Sequence, residues 1–286
     1  MSHYGGTAAR LDDELRNAAY GNIRISDKTR SMLGFYSHRE LIRNLVVKDL
    51  KLKYRGSILG FMWSLANPLL LILVYSFVFG QILRGGPPNF AYFIMIGILP
   101  WNFFAQSLMM STGSIVDNGT LIRKVALPME VFPLATVLFN FAQFVLALLV
   151  FFPMTFLFFK VPLSLSWLGF LPVLALQVLF TLGCCFVVST ATVFYRDIRH
   201  FTEILLMLLF WLTPIIYDFR SVPASLRSVL YLNPLTYFVL AYQDALYRNR
   251  FPAAENLGIL LILSALVFLI GYGFFVMRKS RFAEEV

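Results

Sequence analysis

Six cations, Arg39, Arg43, Lys48, Lys51, Lys53 and Arg55, crowd a short stretch in which Leu41, Ile42, Leu45, Val46, Leu50 and Tyr54 recur at helical spacing. Fixed positive charge at that density attracts phosphates and anionic head groups through its field alone. Other reactive chemistry is sparse. The three histidines, His3, His38 and His200, are far apart, and no paired carboxylates or metal-ligand spacing occur. Cys184 and Cys185 are adjacent inside an apolar run, which suits packing better than redox work. No G-x-x-x-x-G-K-[ST] phosphate loop is present, and the dipeptide Gly-Lys is absent altogether. If the chain's work is driven by a nucleotide, the hydrolysis would have to come from a separate subunit.

The elements that carry these residues follow from composition. Hydrophobic residues make up 59% of the 286 and charged ones 14%, against roughly a quarter charged in soluble domains. The apolar residues come in long unbroken runs, so the chain reads as an all-α integral membrane protein. Runs long enough to cross a bilayer fall at about 63–82, 92–111, 131–159, 166–194, 201–217 and 257–277, which predicts six transmembrane helices. Pro100 predicts a kink in the second. The fifth is short and ends at Thr213-Pro214. Glu203 is the one acidic residue inside these runs, at the start of the fifth.

Ser37-x-x-Glu40 reads as a capping box that opens a basic amphipathic helix over residues 36–56, suited to the lipid interface. Residues 1–35 read as a polar tail, and 57–282 as the membrane domain. If both termini face the cytoplasm, 18 of the 24 cations lie inside and 6 outside, which satisfies the positive-inside rule. The formal charge of +9 is therefore a topology signal more than a sign of nucleic-acid binding.

Several motifs occur in a telling order. Tyr54-Arg-Gly-Ser-Ile-Leu-Gly60, Trp63, Asn67-Pro68 and Tyr75-Ser-Phe-Val-Phe-Gly80 are followed by Gly97-Ile-Leu-Pro-Trp101 and Leu121-Ile-Arg-Lys-Val-Ala-Leu-Pro128. Then come Tyr195-Arg-Asp-Ile-Arg199, Thr213-Pro-Ile-Ile-Tyr217 and Asn233-Pro-Leu-Thr236. From about residue 35 to 282 the chain resembles the membrane (permease) subunit of ATP-binding-cassette polysaccharide exporters, which move O-antigen, capsule or teichoic-acid chains.

The resemblance implies roles that local chemistry permits. A short helix in the 111–130 loop would dock on a separate ATPase, with Leu121, Ile122, Arg123 and Lys124 as contacts. Two copies of the chain would form the pore above two ATPase subunits, which would use the ATP and magnesium. Asp218–Asn256, too polar to span, would form two short re-entrant gate helices broken at Asn233-Pro234, with Tyr231, Asn233, Pro234, Tyr237 and Tyr242 at the outer gate. Tyr75, Phe79, Trp101, Phe104, Trp211 and Tyr217 lie within spans and could line a pore, because sugar C–H faces stack on aromatic rings. The interface cations would attract the phosphates of a lipid diphosphate-linked glycan.

Three other readings compete. A drug- or lipid-exporting permease of the same superfamily would share the architecture. A polyprenyl-phosphate transferase would need carboxylates, histidines or a metal site gathered at the membrane surface, and the sequence shows no paired carboxylates or metal-ligand spacing. A passive channel would work without an ATPase.

Overall fold

The computed structural model describes residues 42–47, 51, 62–78, 88–124, 128–162 and 164–286. All of them belong to one compact unit, Ile42–Val286. Helices dominate, and no strand occurs among the described residues. In order they are α1 (Trp63–Phe77), α2 (Phe90–Gly113), α3 (Gly119–Lys124), α4 (Val131–Leu157), α5 (Phe170–Phe194), α6 (Ile198–Leu212), α7 (Ala224–Tyr231), α8 (Pro234–Tyr242), α9 (Ala254–Arg278) and α10 (Phe282–Glu285). Residues 42–47 are also helical, with Leu45 buried while Arg43 and Asn44 are exposed. The Ser37–Glu40 cap, and Arg39, Lys48, Lys53, Arg55 and Phe79, lie outside the described residues.

Four helical segments are long and apolar enough to cross a membrane: Phe90–Gly113, Val131–Leu157, Leu165–Phe194 and Ala254–Glu285. They match the second, third, fourth and sixth expected spans. The fifth differs from expectation: α6 starts at Ile198 and stops at Leu212. Its 15 residues rise only about 22 Å, against roughly 30 Å of hydrocarbon. Thr213 is the cause. It precedes Pro214, and a residue before proline is pushed out of the helical region; Thr213 accordingly sits at φ −101°, ψ 132°.

α2 is the centre of the bundle. Every residue from Ala91 to Trp101 is buried, which only a helix surrounded on all sides can achieve. The helix continues through Pro100. α4 and α5 pack along it, and Phe103 stacks on Phe144 while Phe104 tilts against Phe180.

α9 lies against α5 at unusually close range. A Cβ on Gly183 would come within 2.7 Å of the Phe268 backbone, and one on Gly271 would collide with the Gly183 carbonyl. Without a hydrophobic drive between helices in lipid, such small-residue contacts are what lets backbones approach. The opposite face of α9 (Leu261, Ile262, Leu266, Leu269, Ile270) is exposed and apolar, as a lipid-facing surface should be.

Candidate functional site

One end of the bundle is built by the segments between spans, and their polar groups converge there. Asn233 caps α8: its side chain accepts from the Leu235 amide at 3.0 Å, and Pro234 occupies the first helical turn. Asparagine caps and early prolines both favour helix starts. The same Asn233 donates through Nδ2 to Thr213 Oγ1 at 2.8 Å. Thr213 in turn donates to the Leu209 carbonyl, closing the last turn of α6. Two residues on, the fully buried Ile215 rests on Gly97 of α2, where a Cβ would lie 3.2 Å from its Cγ2. Three motifs spread along the sequence, around Gly97, Thr213 and Asn233, thus meet in one place.

A second ladder crosses the core. Gln177 of α5 donates to the Pro100 carbonyl at 3.0 Å and accepts from the Tyr242 hydroxyl at 2.6 Å. Gln243 donates to the Pro214 carbonyl at 2.9 Å. After Tyr242 the chain makes a π-helical turn, Gln243–Tyr247, and its neighbours grip it. Ser166 donates to the Ala245 carbonyl and Tyr92 to the Leu246 carbonyl. Tyr247 donates to the Pro88 carbonyl at 2.6 Å. Burial first, then the Asp218 carboxylate, pushes the Tyr247 hydroxyl pKa up, so it remains a protonated donor. Asp244, only 6% exposed, accepts from Arg248 and Arg250 at 2.7 Å each, and Arg248 reaches Asp218 at 3.5 Å.

The two short helices differ sharply in how they are held. α8 is buried from Leu235 to Tyr242 except for the half-buried Tyr237. α7 is mostly exposed, with Leu226 and Val229 open on its surface and Leu232 beside it. It is tied to its flanks and to α8: Arg227 donates to the Val222 and Arg220 carbonyls, Tyr231 packs between Phe219 and Tyr237, Thr236 donates to the Leu230 carbonyl at 2.8 Å, and Leu230 clusters with Phe219 and Leu240. Of the five residues expected at an outer gate, Asn233 and Tyr242 are interior, Pro234 and Tyr237 are half-buried, and Tyr231 is exposed.

The aromatic set divides in the same way. Trp101 and Phe104 are buried, and Trp101 packs on Phe104 and on Phe210 of α6. Trp211 is exposed on α6, and its carbonyl accepts from the half-buried Tyr217. Tyr75 lies on α1, but its side chain is outside the description.

The opposite end of the bundle carries α3. The expected short helix is there, entered through a 3-10 turn at Val116–Asn118. Ile122 is buried, Leu121 half-buried and Arg123 exposed; for Lys124 only the backbone is described. Lys51 and Arg43 are exposed, and Arg196 and Asp197 form no ion pair with one another among the described residues. No group of His, Cys, Asp and Glu that could hold a metal occurs among the described residues.

Residues 40–247 match the ABC-2 type transporter family. The chain belongs to that family. It is 35% identical over 246 residues to the "O-antigen export system permease protein RfbA" of Klebsiella pneumoniae, covering 86% of this chain and 94% of the relative. A protein of the same name from Myxococcus xanthus is 34% identical over 255 residues, covering 88% and 97%. More distant is the "Polysialic acid transport protein KpsM" of Escherichia coli, 21% identical over 257 residues, covering 86% and 96%. An ABC-2 permease with these apolar helices is a multi-pass membrane protein and a transport subunit.

The polar ladder was missed in the sequence, although it left a signal. Gln177 is an amide inside an otherwise apolar run, and polar residues at membrane depth are costly enough to need a purpose. Asp244, with cations four and six residues later, carried a similar hint.

Proposed function

We propose that this chain is the permease subunit of an ATP-driven exporter that moves a lipid-linked polysaccharide, of the O-antigen, capsule or teichoic-acid type, across the cytoplasmic membrane. The observation that carries this reading is identity of about a third along nearly the whole length of O-antigen export permeases. No phosphate loop occurs in this sequence, so this reading assigns ATP hydrolysis to a separate ATPase subunit.

The chain works as a pair beneath which two ATPase subunits hydrolyse magnesium-bound ATP. Both termini face the cytoplasm, and six segments cross, with α1 and the short α6 completing the set. Phe201, Ile204, Met207, Leu208 and Trp211 leave a broad apolar surface on α6, which suits a second copy. The pore then lies between the copies. In this reading the exposed Trp211 and half-buried Tyr217 meet it, and the buried Trp101 and Phe104 support them from within the bundle. Weak stacking on rings lets a polymer slide, which strong directional contacts would prevent. At the outer end α7 is the moving gate and α8 its fixed abutment, because α8 is locked by the ladder and α7 is not. At the inner end Leu121, Ile122, Arg123 and Lys124 meet the ATPase, and the cations Arg39, Arg43, Lys48, Lys51, Lys53 and Arg55 gather the lipid diphosphate.

The direct test is purification with the soluble ATPase of the same system. Complex formation, and export in vesicles that needs both chains and ATP, is the expected result. Transport by this chain alone would turn the reading into a passive channel. Replacing Lys51, Lys53 and Arg55 together by Gln should reduce export without loss of membrane insertion; full export would remove the phosphate-gathering role.

A further inference from the structure

α3 is six residues long, too short to hold its shape without support. One support comes from its own approach, where Asn118 Nδ2 donates to the Ser114 carbonyl at 2.9 Å. The other comes from the far end of the sequence. Gly119, the first residue of α3, has no room for a Cβ because the Val286 side chain fills that space. Val286 follows α10, whose Phe282 has no exposed surface. The Phe282 ring packs 6.2 Å from Phe194, the last residue of α5, and 5.3 Å edge-on from Phe275 of α9. Lys279, just past α9, donates to Glu130 Oε1 at 2.7 Å, and Glu130 immediately precedes α4.

We infer that Lys279–Val286 is a strut that sets the attitude of α3 and carries its displacement into α4, α5 and α9. The inference rests on the reading of α3 as the ATPase-docking helix. Along the chain, α3 lies between α2 and α4. Through the strut it also bears on two further helices, α5 and α9, by the buried Phe282, and gains a second hold on the start of α4 by the Lys279–Glu130 pair. Close-packed contacts are displaced as a unit, not absorbed. A push on α3 that moved α2 alone would have to break the Gly119–Val286 packing, so the spans respond together. Phe282, Lys279 and Glu130 are positioning residues in this scheme and touch neither ATP nor glycan.

The test uses the full chain with its ATPase subunit, in native cells lacking their own copy and in purified complexes. Phe282→Ala and Glu130→Lys should leave complex assembly and ATP hydrolysis near the wild-type level while surface glycan falls about ten-fold, within the usual range of coupling between sites. Glu130→Lys combined with Lys279→Glu should restore export, since the pair is rebuilt with its charges exchanged. Unchanged export in both single variants would overturn the strut. So would parallel loss of assembly, hydrolysis and export that the charge exchange fails to rescue, because that pattern belongs to a merely structural contact. A wild-type chain that recruits no ATPase would instead overturn the docking reading itself, and the wild-type arm shows this before any variant is measured.

Discussion

Tyr242 donates its hydroxyl to Gln177 at a place where both residues are buried and no water can take over the bond. Tyr242→Phe leaves the Gln177 carbonyl oxygen without its donor, and an orphaned buried acceptor costs about 1–3 kcal/mol. Gln177→Leu removes the acceptor and also the bond to the Pro100 carbonyl. Combined, the two changes should cost less than their sum, with a coupling of about 1 kcal/mol in a double-mutant cycle; detergent-purified protein and thermal unfolding suffice to measure it. Strict additivity would mean that the two groups are only neighbours. Asp244 sets a higher stake, because it is a carboxylate almost closed off from water between two guanidinium groups. Asp244→Ala leaves Arg248, itself 14% exposed, without its close partner, and should cost about 3 kcal/mol, the low end for breaking a buried pair because Arg250 reaches solvent. The loss should appear as a lowered unfolding midpoint in detergent.

The crossing of α5 and α9 is where a single methyl group decides the distance between two helices. Gly183→Leu places several atoms where the Phe268 and Val267 backbones already stand, so the helices must part. The expected cost is about 1–3 kcal/mol from overpacking, seen as lower yield and a lower unfolding midpoint. Gly258 has open space where a Cβ would go, so Gly258→Ala should be nearly silent and serves as control. Elements of this kind were only partly legible in the sequence. Long apolar runs located α2, α4, α5 and α9, since length and hydropathy alone answer to bilayer thickness. The ends of α6 were misjudged because apolar character persists through Ile215 and Ile216, while the backbone obeys Pro214. Asn233-Pro234 gave the break between α7 and α8, since a cap and a first-turn proline are local rules. The sequence did not reveal that α8 is interior and α7 exposed, because both carry similar short clusters of apolar residues. Nor did it separate Trp101 and Phe104 from Trp211; aromatic type says nothing about which neighbour a ring meets.

At the scale of the whole molecule, the cations and the polar ends of the bundle must agree on one orientation. Arg123, Lys279 and Arg281 cluster with α3 and α10, at the end where α2 and α9 finish and α4 begins. Arg248 and Arg250 lie at the other end, but the first is committed to Asp244 and Asp218 and the second to Asp244. The end bearing α3 keeps Arg123 exposed, and with both termini on the same side that side would hold 18 of the 24 Lys and Arg. The orientation proposed above, with α3 in the cytoplasm, follows the positive-inside rule and is the one that docking to a soluble ATPase would need. Cysteine labelling can decide it. Cys184 and Cys185 are free and sit inside α5, one half-buried and one buried, so changing both to Ala gives a clean background. In intact cells an impermeant maleimide should label Ser221→Cys, in the exposed turn before α7, and leave Arg123→Cys untouched. In inside-out vesicles the pattern should reverse. Labelling of Arg123→Cys from outside would place α3 on the wrong side for any cytoplasmic ATPase, and the export reading would fall with it.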